Sequence, residues 1–208
     1  MIRRPLRDSV ALRQDSMESL FVSTGVVALA EIGDKTQLLA FILAARFKKP
    51  LPIILGILCA TVVNHGLAGA LGAWITTTIS PEMLRWILGA SFIGMAIWTL
   101  IPDKIEEEET QVAKHLGVFG ATLITFFLAE MGDKTQIATV AMAAKFPDPI
   151  LVVIGTTLGM LIADVPAVFV GDRFAAKIPM KLVHSIAAGI FAILGIATLL
   201  GAGKSLGF

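Results

Sequence analysis

The sequence predicts an all-α integral membrane protein of six transmembrane helices, built as two inverted three-helix repeats. Three observations lead there. Of 208 residues, 56% are hydrophobic and 16% charged, against roughly 45–50% and about 25% in soluble domains. Six apolar stretches approach the about 20 residues that a helix needs to cross a bilayer. The string AEIGDKTQ at residues 30–37 returns as AEMGDKTQ at residues 129–136.

The expected spans are residues 20–45, 52–79, 83–101, 116–144, 149–170 and 182–200, with prolines 50, 81, 147, 149 and 179 punctuating their ends. The first and fourth spans carry the repeated string. The second is studded with Gly56, Gly66, Gly69 and Gly72, and the fifth holds a G-x-x-x-G at Gly155 and Gly159. Small residues let membrane helices approach closely, and packing is sufficient reason for them. Residues 102–115, PDKIEEEETQVAKH, form the one obvious linker. The domain reading is therefore a leader at 1–16, a first repeat at 17–101, an acidic linker at 102–115 and a second repeat at 116–208.

The halves superimpose at a constant offset of 99 residues. Glu31, Asp34, Ala44, Phe47, Pro50 and Gly56 meet Glu130, Asp133, Ala143, Phe146, Pro149 and Gly155 without a gap. Three spans per half is an odd number, so the second half enters the membrane from the opposite side. Such inverted repeats place their sites near the midplane, where the halves meet.

Each charge at the bilayer centre costs about 2.5–3.5 kcal/mol on insertion scales, so six of them cost roughly 15–20 kcal/mol on a naive sum. A structural ion-pair network is a poor reason for that expense, because apolar packing holds helices together more cheaply. Glu31 and Asp34, three apart, share a helix face. Thr36 and Gln37 add neutral oxygens. Gly33 lies between the acids and allows either close helix approach or a local unwinding. The second copy offers Glu130, Gly132, Asp133, Thr135 and Gln136. Across a pseudo-two-fold axis the acids Glu31, Asp34, Glu130 and Asp133 form a four-carboxylate metal cage. Thr36, Gln37, Thr135 and Gln136 support it, and Lys35 and Lys134 balance its charge.

Two carboxylates and one lysine per motif leave a net −2 for the pair, which a divalent cation neutralises. Without the ion, such a site takes up protons, and metal binding expels them. That competition is the core of cation/proton exchange, with about two protons per ion from charge counting. Oxygen ligands suit Ca²⁺, Mn²⁺ and Mg²⁺. Mg²⁺ sheds water reluctantly, which favours Mn²⁺ or Ca²⁺. If the lysines snorkel outward, the site becomes more negative and the stoichiometry is open. An uncoupled cation channel or carrier is the alternative and predicts no coupling to pH.

Paired E-x-G-D-K-T motifs in a six-span chain resemble the GDT family of cation/proton antiporters, over essentially all of residues 17–208. The motif acids of that family match at Glu31, Asp34, Glu130 and Asp133, and Lys35, Thr36, Lys134 and Thr135 complete the pattern. The resemblance implies export of Mn²⁺, or transport of Ca²⁺, in exchange for protons. Among the branches of the family, the compact bacterial manganese exporters are most similar.

The remaining residues carry less. Asp164, beside the kinking Pro166, is the one other acid within a span and is read as a proton path or a supporting contact. Its repeat mate is His65, preceded by Asn64, and His65 reads as a hydrogen-bonded packing residue. Asp172 reads as interfacial and residues 106–109 as a solvated loop. His115 and His184 give no signal. Cys59 reads as a small buried hydrophobe, and a single cysteine can form no internal disulfide. Without H-E-x-x-H, or a Ser–His or Cys–His arrangement, nothing points to an enzyme or a cofactor. A net charge of +1 suggests no nucleic-acid partner. The expected partners are a divalent ion, protons and the lipid bilayer, and a homodimer is compatible with the sequence.

Orientation follows from the positive-inside rule. Lysines and arginines number seven on the N-terminal side and eight on the other. If Met17 is the functional start, or the leader is dispensable, four arginines drop out and the count becomes three against eight. That places the termini in the periplasm of a bacterial inner-membrane protein.

Overall fold

A computed structural model describes residues 3–101, 116–170 and 180–201. The linker at 102–115, with its acidic run at 106–109 and His115, and Asp172 lie outside the described residues. Eight helices make up the described part: α1 (Arg3–Glu31), α2 (Lys35–Phe47), α3 (Pro50–Thr78), α4 (Pro81–Thr99), α5 (Val118–Glu130), α6 (Lys134–Lys145), α7 (Pro149–Val170) and α8 (Met180–Leu199).

Local chemistry sets several boundaries. Lys48 adopts φ 52° and returns its N–H to the Ala44 carbonyl, closing α2. Ser80 caps α4, accepting from Met83 N, and Pro81 follows at the first helical position. Asp148 accepts from Ile150 N and Leu151 N, both at 3.1 Å, at the start of α7.

One expectation changes. The spans 20–45 and 116–144, read from sequence as continuous helices, are each broken inside the repeated string. The left-handed glycine backbone in the middle of each string (Gly33 φ 85°, Gly132 φ 77°) ends the helix. Of the two roles left open for Gly33, unwinding is the one observed. Residues 3–16 form the first turns of α1.

The 99-residue offset carries over to the helices. α1 and α5 end at Glu31 and Glu130, and α2 and α6 begin at Lys35 and Lys134. α3 and α7 begin at Pro50 and Pro149, and α4 and α8 at Pro81 and Met180. The halves are interleaved, because the most extensive helix contacts run between them: α1 along α7, α5 along α3, and α4 against α8. Glycine makes the first two crossings close. A Cβ at Gly155 would stand 2.6 Å from the Leu20 carbonyl oxygen, and one at Gly56 would stand 2.7 Å from Thr122 Cβ and 3.0 Å from the Phe119 oxygen. Leu20 and Phe119 are repeat mates, as are Gly56 and Gly155, so one contact is made twice. Phe92 and Phe191, also mates, stack with centroids 6.5 Å apart.

Among the described helices, Pro50–Thr78 and the stretch Pro149–Phe169 are long and apolar enough to cross a membrane by themselves. The glycine breaks cut the motif spans into helices α2, α5 and α6, of 13, 13 and 12 residues. The outer surface is apolar: Phe21, Leu51, Leu67, Ile150, Phe169 and Ile193 are each more than 60% exposed. The interior holds Glu31, Asp34, Glu130, Asp133 and Lys134. Water-soluble domains almost never bury such groups unless paired. A lipid solvent accommodates the apolar exterior.

Candidate cation site

The two breaks share one construction. The carbonyl of Glu31 accepts from Asp34 N at 3.0 Å, and that of Glu130 from Asp133 N at 3.0 Å. Gln37 Oε1 accepts from Gly33 N at 2.9 Å, and Gln136 Oε1 from Gly132 N at 2.8 Å. Each aspartate then caps the helix that restarts: Asp34 Oδ1 takes Lys35 N at 2.7 Å, and Asp133 Oδ1 takes Lys134 N at 2.6 Å. The glutamates thus sit at helix C-termini and the aspartates at helix N-termini, whose positive dipole ends favour negative charge. Both glutamine oxygens, expected as supporting ligands, are engaged in closing these turns.

The halves bring Glu31, Asp34 and Asp133 together. One carboxylate oxygen from each lies within 4.8 Å of the other two, and all three side chains are buried. Oxygens coordinating Ca²⁺ at 2.3–2.6 Å stand at most about 5 Å apart, so a hard divalent ion fits. Lys134 does not snorkel. It is 1% exposed, and its Nζ stands 2.9 Å from Asp34 Oδ2. Three carboxylates less one ammonium leave a net charge of −2 when all are ionised. Lys35, its mate, is half-buried.

Glu130 is not in this cluster, so the cage of four read from sequence is three acids plus a separately anchored fourth. Thr61 Oγ1 donates to Glu130 Oε1 at 2.9 Å, and Asn64 Nδ2 donates to Oε2 at 3.3 Å and to the Phe127 carbonyl at 3.1 Å. Glu31 Oε2 instead accepts from Thr36 Oγ1 at 2.5 Å, within its own motif. Thr135, the mate of Thr36, has a buried hydroxyl with no hydrogen-bond partner.

Other polar atoms around the breaks are also unpaired: Glu31 Oε1, Asn64 Oδ1, both oxygens of Asp164 and both ring nitrogens of His65. His65 is therefore buried without the hydrogen bond expected of it. Asp164 lies within electrostatic reach of both Glu31 and Glu130. Unsatisfied buried groups of this kind are costly.

Sequence reasoning missed three residues. Thr61 and Asn64, three apart on α3, anchor Glu130. Their signal was two polar residues on one face of an apolar span. His184, read as carrying no signal, donates from Nε2 to the Ile32 carbonyl at 3.0 Å inside the first break. Gln37 Nε2 ties the same break to the Ala163 carbonyl of α7 at 2.9 Å.

A family model described as "Divalent cation/proton antiporter GDT1" matches residues 19–107 and again 118–205. A Vibrio cholerae protein named "Putative manganese exporter" is 49% identical over 88% of this chain and 90% of its own length. The rice "GDT1-like protein 3" is 30% identical over 84% of this chain and 71% of its own. For the Arabidopsis thaliana "GDT1-like protein 5" the figures are 28%, 86% and 93%. No solved structure matches the chain.

Proposed function

Because the chain belongs to the GDT1 family of divalent cation/proton antiporters, we propose that it exchanges a divalent cation, Mn²⁺ foremost, for protons and exports Mn²⁺ across a bacterial inner membrane. The observation that carries this reading is the buried cluster of Glu31, Asp34 and Asp133, formed where two repeated helix breaks meet. Its net −2 with Lys134 matches one divalent ion, and its all-oxygen donors match Mn²⁺ or Ca²⁺. The name of the Vibrio cholerae relative favours Mn²⁺.

In this reading the halves are inverted repeats that rock about the cluster and expose it alternately to the two faces. Protons are the counter-ion. When the metal leaves, the acids hold protons in its place, and Asp164, buried with neither oxygen paired, is a stop on the proton path. Thr36 and Thr135 support the site, and Lys35 and Lys134 balance it. The basic residues Arg46, Lys48 and Lys49 face the cytoplasm, so a reporter fused after Phe208 should read periplasmic.

Sealed proteoliposomes with an internal pH dye test the exchange, with Mn²⁺, Ca²⁺ and Mg²⁺ added in turn. A pH change with Mn²⁺ that disappears in Glu31→Gln and Asp133→Asn is expected. Cation uptake without proton movement would sink the exchange mechanism and leave a permeation site.

A further inference from the structure

The two helix breaks match in their backbone turns and differ in how their glutamates are held. Glu130 is held by Thr61 and Asn64 of α3, both buried. The 99-residue mates of those two residues on α7 are Met160 and Ala163. Neither side chain can donate a hydrogen bond, so α7 offers Glu31 no equivalent anchor, and its one side-chain donor among the described residues is Thr36 of its own motif. Glu31 stays in the cluster with Asp34 and Asp133, and its Oε1 is left without a partner. Glu130, from the corresponding position, is kept out of it. The turns, the aspartate caps and the glutamine-oxygen contacts are the same in both breaks, but Thr36 Oγ1 donates to Glu31 in the first, whereas the hydroxyl of its mate Thr135 has no partner in the second. What holds Glu130 away from the cluster is two side chains on one neighbouring helix.

We propose that Thr61 and Asn64 are positioning residues that latch Glu130 outside the cation cluster. The two motif glutamates then have different duties. Glu31 is the standing ligand. Glu130 is the exchangeable one, joining the ion when α3 and α5 shift enough to release it and returning to Thr61 and Asn64 when the ion departs. The latch keeps the resting site at three carboxylates, which holds the cation loosely enough to let it go. A site with four permanent carboxylates would bind more tightly and turn over more slowly. The proposal rests on the cation-transport reading and adds what sets affinity against release.

Equilibrium Mn²⁺ binding to the purified full-length protein, followed by the paramagnetic resonance of free Mn²⁺, tests the latch independently of transport. Thr61→Val and Asn64→Leu roughly preserve volume and remove the donors. The expected result is a Kd for Mn²⁺ lowered about tenfold, the size of one charge-assisted hydrogen bond redirected to the ion. In proteoliposomes KM and kcat should fall together, whereas a merely structural lesion lowers kcat without tightening KM. Thr61→Ser should restore wild-type values. In a Glu130→Gln background the same substitutions should no longer tighten binding. If the double variant does not fold, Thr61→Val alone is read in the same way.

An unchanged or raised Kd, or tightening that persists with Glu130→Gln, overturns the latch. Wild-type protein that binds Mn²⁺ but moves no protons overturns the exchange reading and leaves the latch to be judged on binding. Wild-type protein that binds no Mn²⁺ overturns both.

Discussion

Lys134 Nζ stands 2.9 Å from Asp34 Oδ2, a salt bridge that joins the two halves with both side chains out of solvent. The ammonium occupies part of the space around the cluster and offsets one of its charges. Removing one partner of a buried pair typically costs about 3–5 kcal/mol. Lys134→Gln should therefore lower the melting temperature of the metal-free protein. Mn²⁺ should restore it by more than it raises wild type, because the cation supplies the missing positive charge. Equal shifts in the two proteins would show that the ion does not bind beside Asp34.

Competition between protons and metal for the same carboxylates fixes a sign. Lowering the pH protonates ligands and weakens binding; raising it strengthens binding. Each proton released on binding should lower the Mn²⁺ Kd about tenfold per pH unit, and two protons about a hundredfold. Isothermal titration across pH 6 to 8 reads the number directly as a slope. A flat profile would mean that the acids enter binding already deprotonated.

The glycine crossings give a prediction about stability. At Gly155 a methyl group would meet the Leu20 carbonyl, a backbone atom that cannot turn aside. Gly155→Ala should cost about 1–3 kcal/mol by overpacking. Gly25 lies in α1 with nothing within 4 Å of its absent Cβ. Gly25→Ala should be neutral, or gain up to about 1 kcal/mol from helix propensity. Thermal unfolding of the pair in one detergent separates these outcomes.

Gly132 separates conformation from crowding. Its φ is 77°, and a Cβ there would meet nothing within 4 Å, so only backbone strain opposes a side chain. Gly132→Ala should cost about 1–2 kcal/mol, the left-handed penalty of an L-residue. Gly132→Asn should cost less than Gly132→Val, since asparagine tolerates that region and β-branched residues do not. If valine matches asparagine in melting temperature, the break is not held in this conformation.

Much of the site could be read from the duplicated string, because repetition of eight residues identifies the acids, the glycines and the offset together. The break itself could not be settled that way. Glycine in an apolar span serves packing and turning alike, and Gly56 and Gly33 turned out to illustrate one use each. The anchoring of Glu130 was hidden for a different reason. Thr61 and Asn64 become partners of Glu130 only once α3 is known to lie along α5, a contact between halves that no local pattern encodes. Aligning the halves position by position would have flagged Thr61 against Met160 and Asn64 against Ala163 as departures. The structure supplies the meaning of those departures.

The interleaving of the halves also bears on how the chain is made. Leu20 rests against Gly155, and α1 finds its main partner only after α7 has been synthesised. At about 5–20 residues per second, the ribosome takes on the order of 10 s to travel between those positions. For most of that interval Glu31 and Asp34 exist without Asp133 or Lys134. The first four helices leave the ribosome as an unfinished surface, with their acids either shielded by water or held at the insertion machinery. Biogenesis is then an all-or-nothing event, timed by the last helices. A ribosome that stops in the linker releases half a chain that has nothing to fold against.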